Sequence, residues 1–174
     1  SYWDKSASKY SFYAAAPQNA SWGFDEDGKY YTFSGFVASG KSLALATLDA
    51  PKADAVFGEE DLMIATDIPA YNTFTGDAVN FTFNHILSRF NIAISTSITD
   101  GTVTLTSLTV NGIANTGSFD GSKAAAQAGS TARWTASGST TLTAVKGESG
   151  ADVVVNASKQ FIYQGLVIPQ VASV

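Results

Sequence analysis

Cysteine is absent from this chain of 174 residues. That excludes disulfides, thiol catalysis and zinc–cysteine centres, and it leaves the compartment undecided. Charge is scarce: Asp, Glu, Lys and Arg make up 14% of the chain, against the usual quarter or so. No two basic residues are adjacent, and the net charge is −5. Both facts argue against nucleic acid as a partner. No apolar run reaches the length of a membrane-spanning helix. A signal peptide is missing and the first residue is Ser1 rather than Met, so the chain is expected to be a processed or trimmed product.

What is there suits strands. Apolar residues make up 45% and aromatics 12%, while Ser and Thr fill the space left by charge. The length suffices for one domain with its own core, and the composition leans toward a secreted protein. Most segments alternate with period two. In "AVNFTFNHIL", Val79, Phe81, Phe83, His85 and Leu87 share one face. In "RFNIAISTSI", Phe90, Ile92, Ile94 and Ile98 share another. The apolar phase changes between Leu87 and Phe90, which predicts a turn, corner or bulge near Ser88 and Arg89. A similar slip between Leu105 and Leu108 predicts a bulge at Thr106 and Ser107. Further strands are expected over Lys9–Ala16, Leu43–Leu48, Asp61–Asp67, Ala132–Ala136, Asp152–Ala157 and Phe161–Ile168, with turn signals such as "DEDGK" and "FDGS" between them. Only "GSKAAAQAGS" leaves helix and loop both open. The segment Asn111–Ser149 reads as variable surface. The pattern predicts an all-β antiparallel sandwich of about 7–10 short strands, one domain over 1–174.

One stretch, "GFVASGKS" (Gly35–Ser42), fits the phosphate-loop pattern letter for letter. That motif needs a strand before it, a long helix after it and a parallel sheet around it. Here "LALATL" reads as a strand and Pro51 caps any helix at about two turns. The pattern arises by chance on the order of once in a hundred chains of this size. No nucleotide is expected.

Other candidates are weak. His85, the lone histidine, has no triad-like spacing and is expected to be structural: inward-facing, half-buried and without a carboxylate partner. Asp25, Glu26 and Asp27 resemble half a calcium loop, but the late Glu is missing, so a solvated turn is the better reading. Glu59, Glu60 and Asp61 read as the charged start of a strand. Trp3, Trp22 and Trp134 could stack on sugar rings, although a Trp in a sandwich more often fills the core or covers an edge. No catalytic, cofactor or metal residue is singled out, and no cofactor is expected.

Four ordered segments resemble the fimbrillin-like family of Bacteroidales fimbrial subunits and fimbria-associated lipoproteins. They are "YWDKSASKYSFYAAAP" (Tyr2–Pro17), "DLMIATD" (Asp61–Asp67), "VNFTFNHILSRFNIAI" (Val79–Ile94) and "LVIPQ" (Leu166–Gln170). The resemblance implies a transthyretin-like sandwich and a non-enzymatic fimbrial subunit or adhesin domain at the cell surface. It implies association with the outer membrane through a lipid anchor absent from this chain. Neighbouring subunits would be partners by β-strand addition. The family pattern also has opening strands before the Trp segment and a C-terminal domain after "IPQ", so the chain is expected to be a fragment. Strands beside the gap would then have open edges, and "FIYQGLVIPQ" is expected among them, covered on both faces. The alternative is a surface module that binds a carbohydrate or host ligand.

Overall fold

The computed structural model describes residues 10–19, 21–47, 61–67, 70–71, 79–125, 127–144 and 152–170. Their backbone is almost wholly strand: β1 (Tyr10–Ser11), β2 (Ala15–Ala16), β3 (Trp22–Asp25), β4 (Tyr30–Val37), β5 (Ser39–Thr47), β6 (Met63–Asp67), β7 (Ala70–Tyr71), β8 (Thr82–His85), β9 (Ser88–Ile94), β10 (Val103–Leu105), β11 (Leu108–Ile113), β12 (Thr116–Asp120), β13 (Trp134–Ser137), β14 (Thr140–Ala144), β15 (Val153–Val155) and β16 (Gln160–Val167). A single 3-10 turn at Thr131–Arg133 is the one helical piece among them. Every ladder is antiparallel.

Three sheets carry the architecture, in the orders β13-β12-β4-β3, β5-β16-β9 and β2-β6-β8. Strands leave one sheet and enter the next at corners. Ala38 joins β4 to β5, and Ile86–Leu87 joins β8 to β9. The pieces therefore outnumber the apolar runs that built them. The corner expected near Ser88 lies one residue earlier, and its two residues are buried. At Thr106–Ser107 the expected bulge is a break: β10 pairs with β15, and β11 then pairs with β14. β11 and β12 run together against β13 and β14 as one ribbon, kinked at Ala114–Asn115 and Gly138–Ser139. Gly138 sits at φ +68, a conformation that favours glycine.

The three sheets share one core, containing Phe33, Phe36, Leu62, Ile64, Ile86, Phe119, Trp134, Ile162, Leu166 and Ile168. Phe119 and Trp134 belong to the segment expected as variable surface, and that expectation is corrected. Their signal was faint because Gly, Ser and Thr surround each aromatic. Trp134 packs edge-on against Phe36 and Phe119, with centroids 5.9 and 5.5 Å away. Its indole N–H donates to the Ile86 carbonyl at 2.9 Å, within the buried interior. That bond satisfies a backbone acceptor that the corner removes from any ladder.

β16 pairs with β5 on one side and β9 on the other. Apart from half-buried Phe161, its residues are buried from Gln160 to Val167. Coverage of both faces agrees with its apolar run, but the expected open edge is overturned: β16 is a central strand. Gln164, fully buried, donates from Nε2 to Asn91 Oδ1 at 2.8 Å. Beyond β16, Gln170 Oε1 accepts the Ala114 N–H at the ribbon kink. Ile168 fills the space where a side chain at Gly117 would stand.

Replacing Trp134 by Phe deletes the indole donor and strands the Ile86 carbonyl. Trp134→Phe is expected to lower stability by about 2–4 kcal/mol. Trp22 is half-buried and bonds the Pro17 carbonyl, so Trp22→Phe should cost about 1 kcal/mol. Urea unfolding of both variants checks the order; equal midpoints would contradict it.

Candidate functional site

The stretch Gly35–Ser42 runs through the end of β4, the corner at Ala38 and the start of β5. It is strand on both sides of Ala38, and β5 runs on to Thr47 where the motif needs a helix. Residues Gly40, Lys41 and Ser42 are in register with Gly165, Gln164 and Tyr163 of β16. A phosphate cradle needs N–H groups converging from a concave loop; here the backbone is laid flat into a ladder. Gly35 has a different task. Between Gly117 and Phe119 of β12 the register advances three residues on β4, from Phe36 to Phe33. The extra residue makes a bulge, and Gly35 adopts φ +73 there.

The bulge opens an edge. On its other side β4 pairs with β3 from Tyr30 to Phe33, and a last bond joins Ser34 N–H to the Ser21 carbonyl. A turn closed by the Trp22 N–H and the Asn19 carbonyl then takes the chain away. Among the described residues no strand pairs with Gly35–Val37 on that side. Beside this edge lies a groove of about 390 Å³, lined by Asn19, Ser21, Phe33, Phe36, Val37 and Leu62 among others. Phe33, Phe36 and Leu62 are core residues, while Val37 is 61% exposed. The groove thus joins unpaired backbone to apolar side chains.

A second cleft, of about 300 Å³, lies at the opposite end of β4 and includes Tyr13, Lys29, Tyr31 and Arg133 in its wall. Burial raises the Tyr31 phenol above its ordinary value of 10.0, and does the same to Tyr163 in the core. Nearby, hydrogen bonds from the hydroxyl and N–H of Ser122 hold the Asp120 carboxyl below its usual value. Asp25 accepts the Gly28 N–H and the Tyr30 hydroxyl. It orders the turn between β3 and β4, so the acidic Asp25–Asp27 run is a hairpin turn. Its negative charge is the main cause of a raised Tyr30 pKa.

The expectation for His85 is overturned. All four residues of β8 are exposed, and the His85 side chain is 63% accessible. β8 is the edge of its sheet, and the corner residues Ile86 and Leu87 take the core positions instead. Met63 stands opposite His85 in register, so Asp61, two residues earlier, falls on the same face. His85 Nδ1 meets Asp61 Oδ2 at 3.0 Å. Neither residue lines the groove or the cleft. With its histidine open to solvent, the pair contributes about 0–1 kcal/mol. Among the described residues no three His, Asp or Glu side chains gather into a metal site.

Among the described residues the tryptophans form no flat sugar platform. Trp134 is core, and Trp3, like Glu59 and Glu60, lies outside the described residues. Trp22 belongs to a ladder with Phe33, Tyr31 and Phe24 whose rings tilt between 52° and 75°. Sequence reading missed the groove and the second cleft. The only local signal for the groove was a glycine after four strand-like residues, at Gly35.

Two outcomes are expected. Mg-ATP titrated to millimolar concentration should give no saturable heat; a micromolar affinity abolished by Lys41→Ala would contradict this. For the tyrosines, the folded pKa lies above the unfolded one. Their contribution is therefore complete below the ordinary phenol value and is lost as pH rises through the folded value. Tyr31→Phe should flatten the alkaline fall in melting temperature; an unchanged alkaline limb would show that burial of Tyr31 does not count.

No curated protein and no solved structure matches this chain. A family model described as fimbrillin-like matches residues 1–174, the whole length. On that match, joined to an all-β antiparallel fold, the chain belongs to the fimbrillin-like family.

Proposed function

We propose that this chain is a building block or adhesin domain of a surface fimbria, without catalytic activity, joined to its neighbours by β-strand addition. The observation that carries the reading is the β4 edge at Gly35–Val37 beside its apolar groove. Family membership supports a neighbouring fimbrial subunit as the occupant, entering as an extended segment. Its main chain would complete the pairing that β3 leaves off, and alternate side chains would enter the space beside Phe33, Phe36 and Leu62. An open edge is a liability that proteins usually blunt with charge, proline or cover. None of the residues Gly35, Phe36 and Val37 is charged or a proline. On this reading the domain is a transthyretin-like sandwich, and a lipid anchor attaches the fimbria to the outer membrane.

The chain has no cysteine, so Val37→Cys gives a unique thiol at the edge. That introduced thiol is expected to react with a maleimide in the isolated protein and to be protected at least tenfold in assembled fimbriae. Equal labelling in both would remove this edge from the assembly. Val37→Lys should reduce incorporation into fibres while leaving the melting temperature nearly unchanged.

A further inference from the structure

The cleft at the Tyr30 end of β4 is built from four separate places in the chain. The segment between β1 and β2 supplies Tyr13, the β3–β4 turn supplies Lys29, β6 supplies Ile64, and the connection from β12 to β13 supplies Gln127 and Arg133. Loops gathered at one end of a rigid sandwich are a common place for recognition.

Its charge is unlike that of the chain. The net charge is −5, yet the wall holds Lys29 and Arg133 and no carboxylate. The nearby carboxylates have other partners: Asp25 accepts from Gly28 and Tyr30, and Asp120 accepts from Ser122. The backbone of Lys29 and the side chain of Arg133 are each held in place. The Lys29 N–H bonds the Asp25 carbonyl at 2.9 Å, and the residue sits at φ 60 in the turn. Arg133 stands on the 3-10 turn that Ser130 caps and immediately precedes the anchored Trp134. Its Nε–H is spent on the Lys123 carbonyl at 2.9 Å. That bond uses one of the five guanidinium donors and orients the group; the terminal pair can engage a carboxylate bidentately. Beside the cations lie the phenols of Tyr13 and Tyr31, the apolar side chain of Ile64 and the amide of Gln127.

We infer that this cleft binds a terminal acidic N-acetylated sugar, of the sialic acid type. Such a sugar presents a carboxylate to Arg133 and Lys29. Its acetamido methyl needs an apolar wall such as Ile64, and its ring and hydroxyls suit the faces and polar tips of tyrosines. A bare anion would not use the apolar wall, and a neutral sugar would not use the two cations. The cleft and the groove have no lining residue in common, so a neighbour seated in the groove would not take up the residues that meet the sugar. The inference goes beyond the assembly reading and does not need it.

The test is a titration of the 174-residue chain, followed by chemical-shift changes, with three probes: the methyl glycoside of N-acetylneuraminic acid, N-acetylglucosamine and acetate. The acidic sugar is expected to bind with millimolar affinity, with shifts at Tyr31, Gln127 and Arg133, and at least tenfold more tightly than the other two. Arg133→Gln should weaken it at least tenfold. Lys29→Asn removes the second charge, keeps a residue that tolerates positive φ, and should weaken it severalfold even if Arg133→Gln unfolds. Failure of the acidic sugar to saturate across the millimolar range would overturn the inference. So would equal binding of N-acetylglucosamine, or of acetate. Loss of sugar binding with intact fibre incorporation, or the reverse, separates this site from the groove.

Discussion

The hydrogen bond from the Trp134 indole to the Ile86 carbonyl ties together parts that no ladder joins. Ile86 lies where the chain passes from the β2-β6-β8 sheet to the β5-β16-β9 sheet. Trp134 opens the edge strand of the third sheet. A backbone that turns a corner inside a core leaves polar groups without ladder partners, and each is costly unless paired. Here the partner is also the largest ring in the interior, so polar satisfaction and packing meet in one side chain. Gln170 repeats the solution at the ribbon kink, where it accepts the Ala114 N–H. Corners, more than sheet faces, explain where this fold places its special residues.

That pattern also explains what the sequence made legible. Alternation announced β8 and β9 because long side chains recur at every second position. The change of phase after Leu87 located the first corner to within a residue or two, since a corner moves the apolar set from one face to the other. His85 was misread for the same reason: counting it in phase with Leu87 ignored the corner between them. β12 was lost because Phe119 stands nearly alone among Gly, Ser and Thr, and β13, expected at Ala132–Ala136, was placed in a segment read as variable surface. Phe119 is buried where β12 pairs with β4, and Trp134 where its ring packs on Phe36, contacts between residues far apart in the chain. The apolar run in β16 announced a strand covered on both faces, yet a run cannot say whether the strand's two hydrogen-bonding edges are occupied.

The candidate surfaces were harder still. Groove and cleft are made by where β3 stops and by which loops meet, and neither is a property of a local window. The phosphate-loop match shows the opposite error. Eight residues carried a motif's letters, but Gly35 serves a bulge, Gly40 lies close against Tyr163, and the Lys41 backbone faces Gln164 across a ladder. Meaning came from neighbours in space.

The passage of one strand through two sheets has a mechanical side. From Tyr30 to Thr47 the chain is strand, interrupted at the Gly35 bulge and at Ala38. Its first half is bonded to β12 and β3, its second half to β16. Tension applied along this segment would load those ladders in shear, with many hydrogen bonds strained together instead of parted one after another. The core residues Phe33 and Phe36 lie on the same line of force. A fibre pulled through such a segment would yield by sliding whole ladders, and its resistance would grow with the number of paired residues rather than with the strength of any single contact.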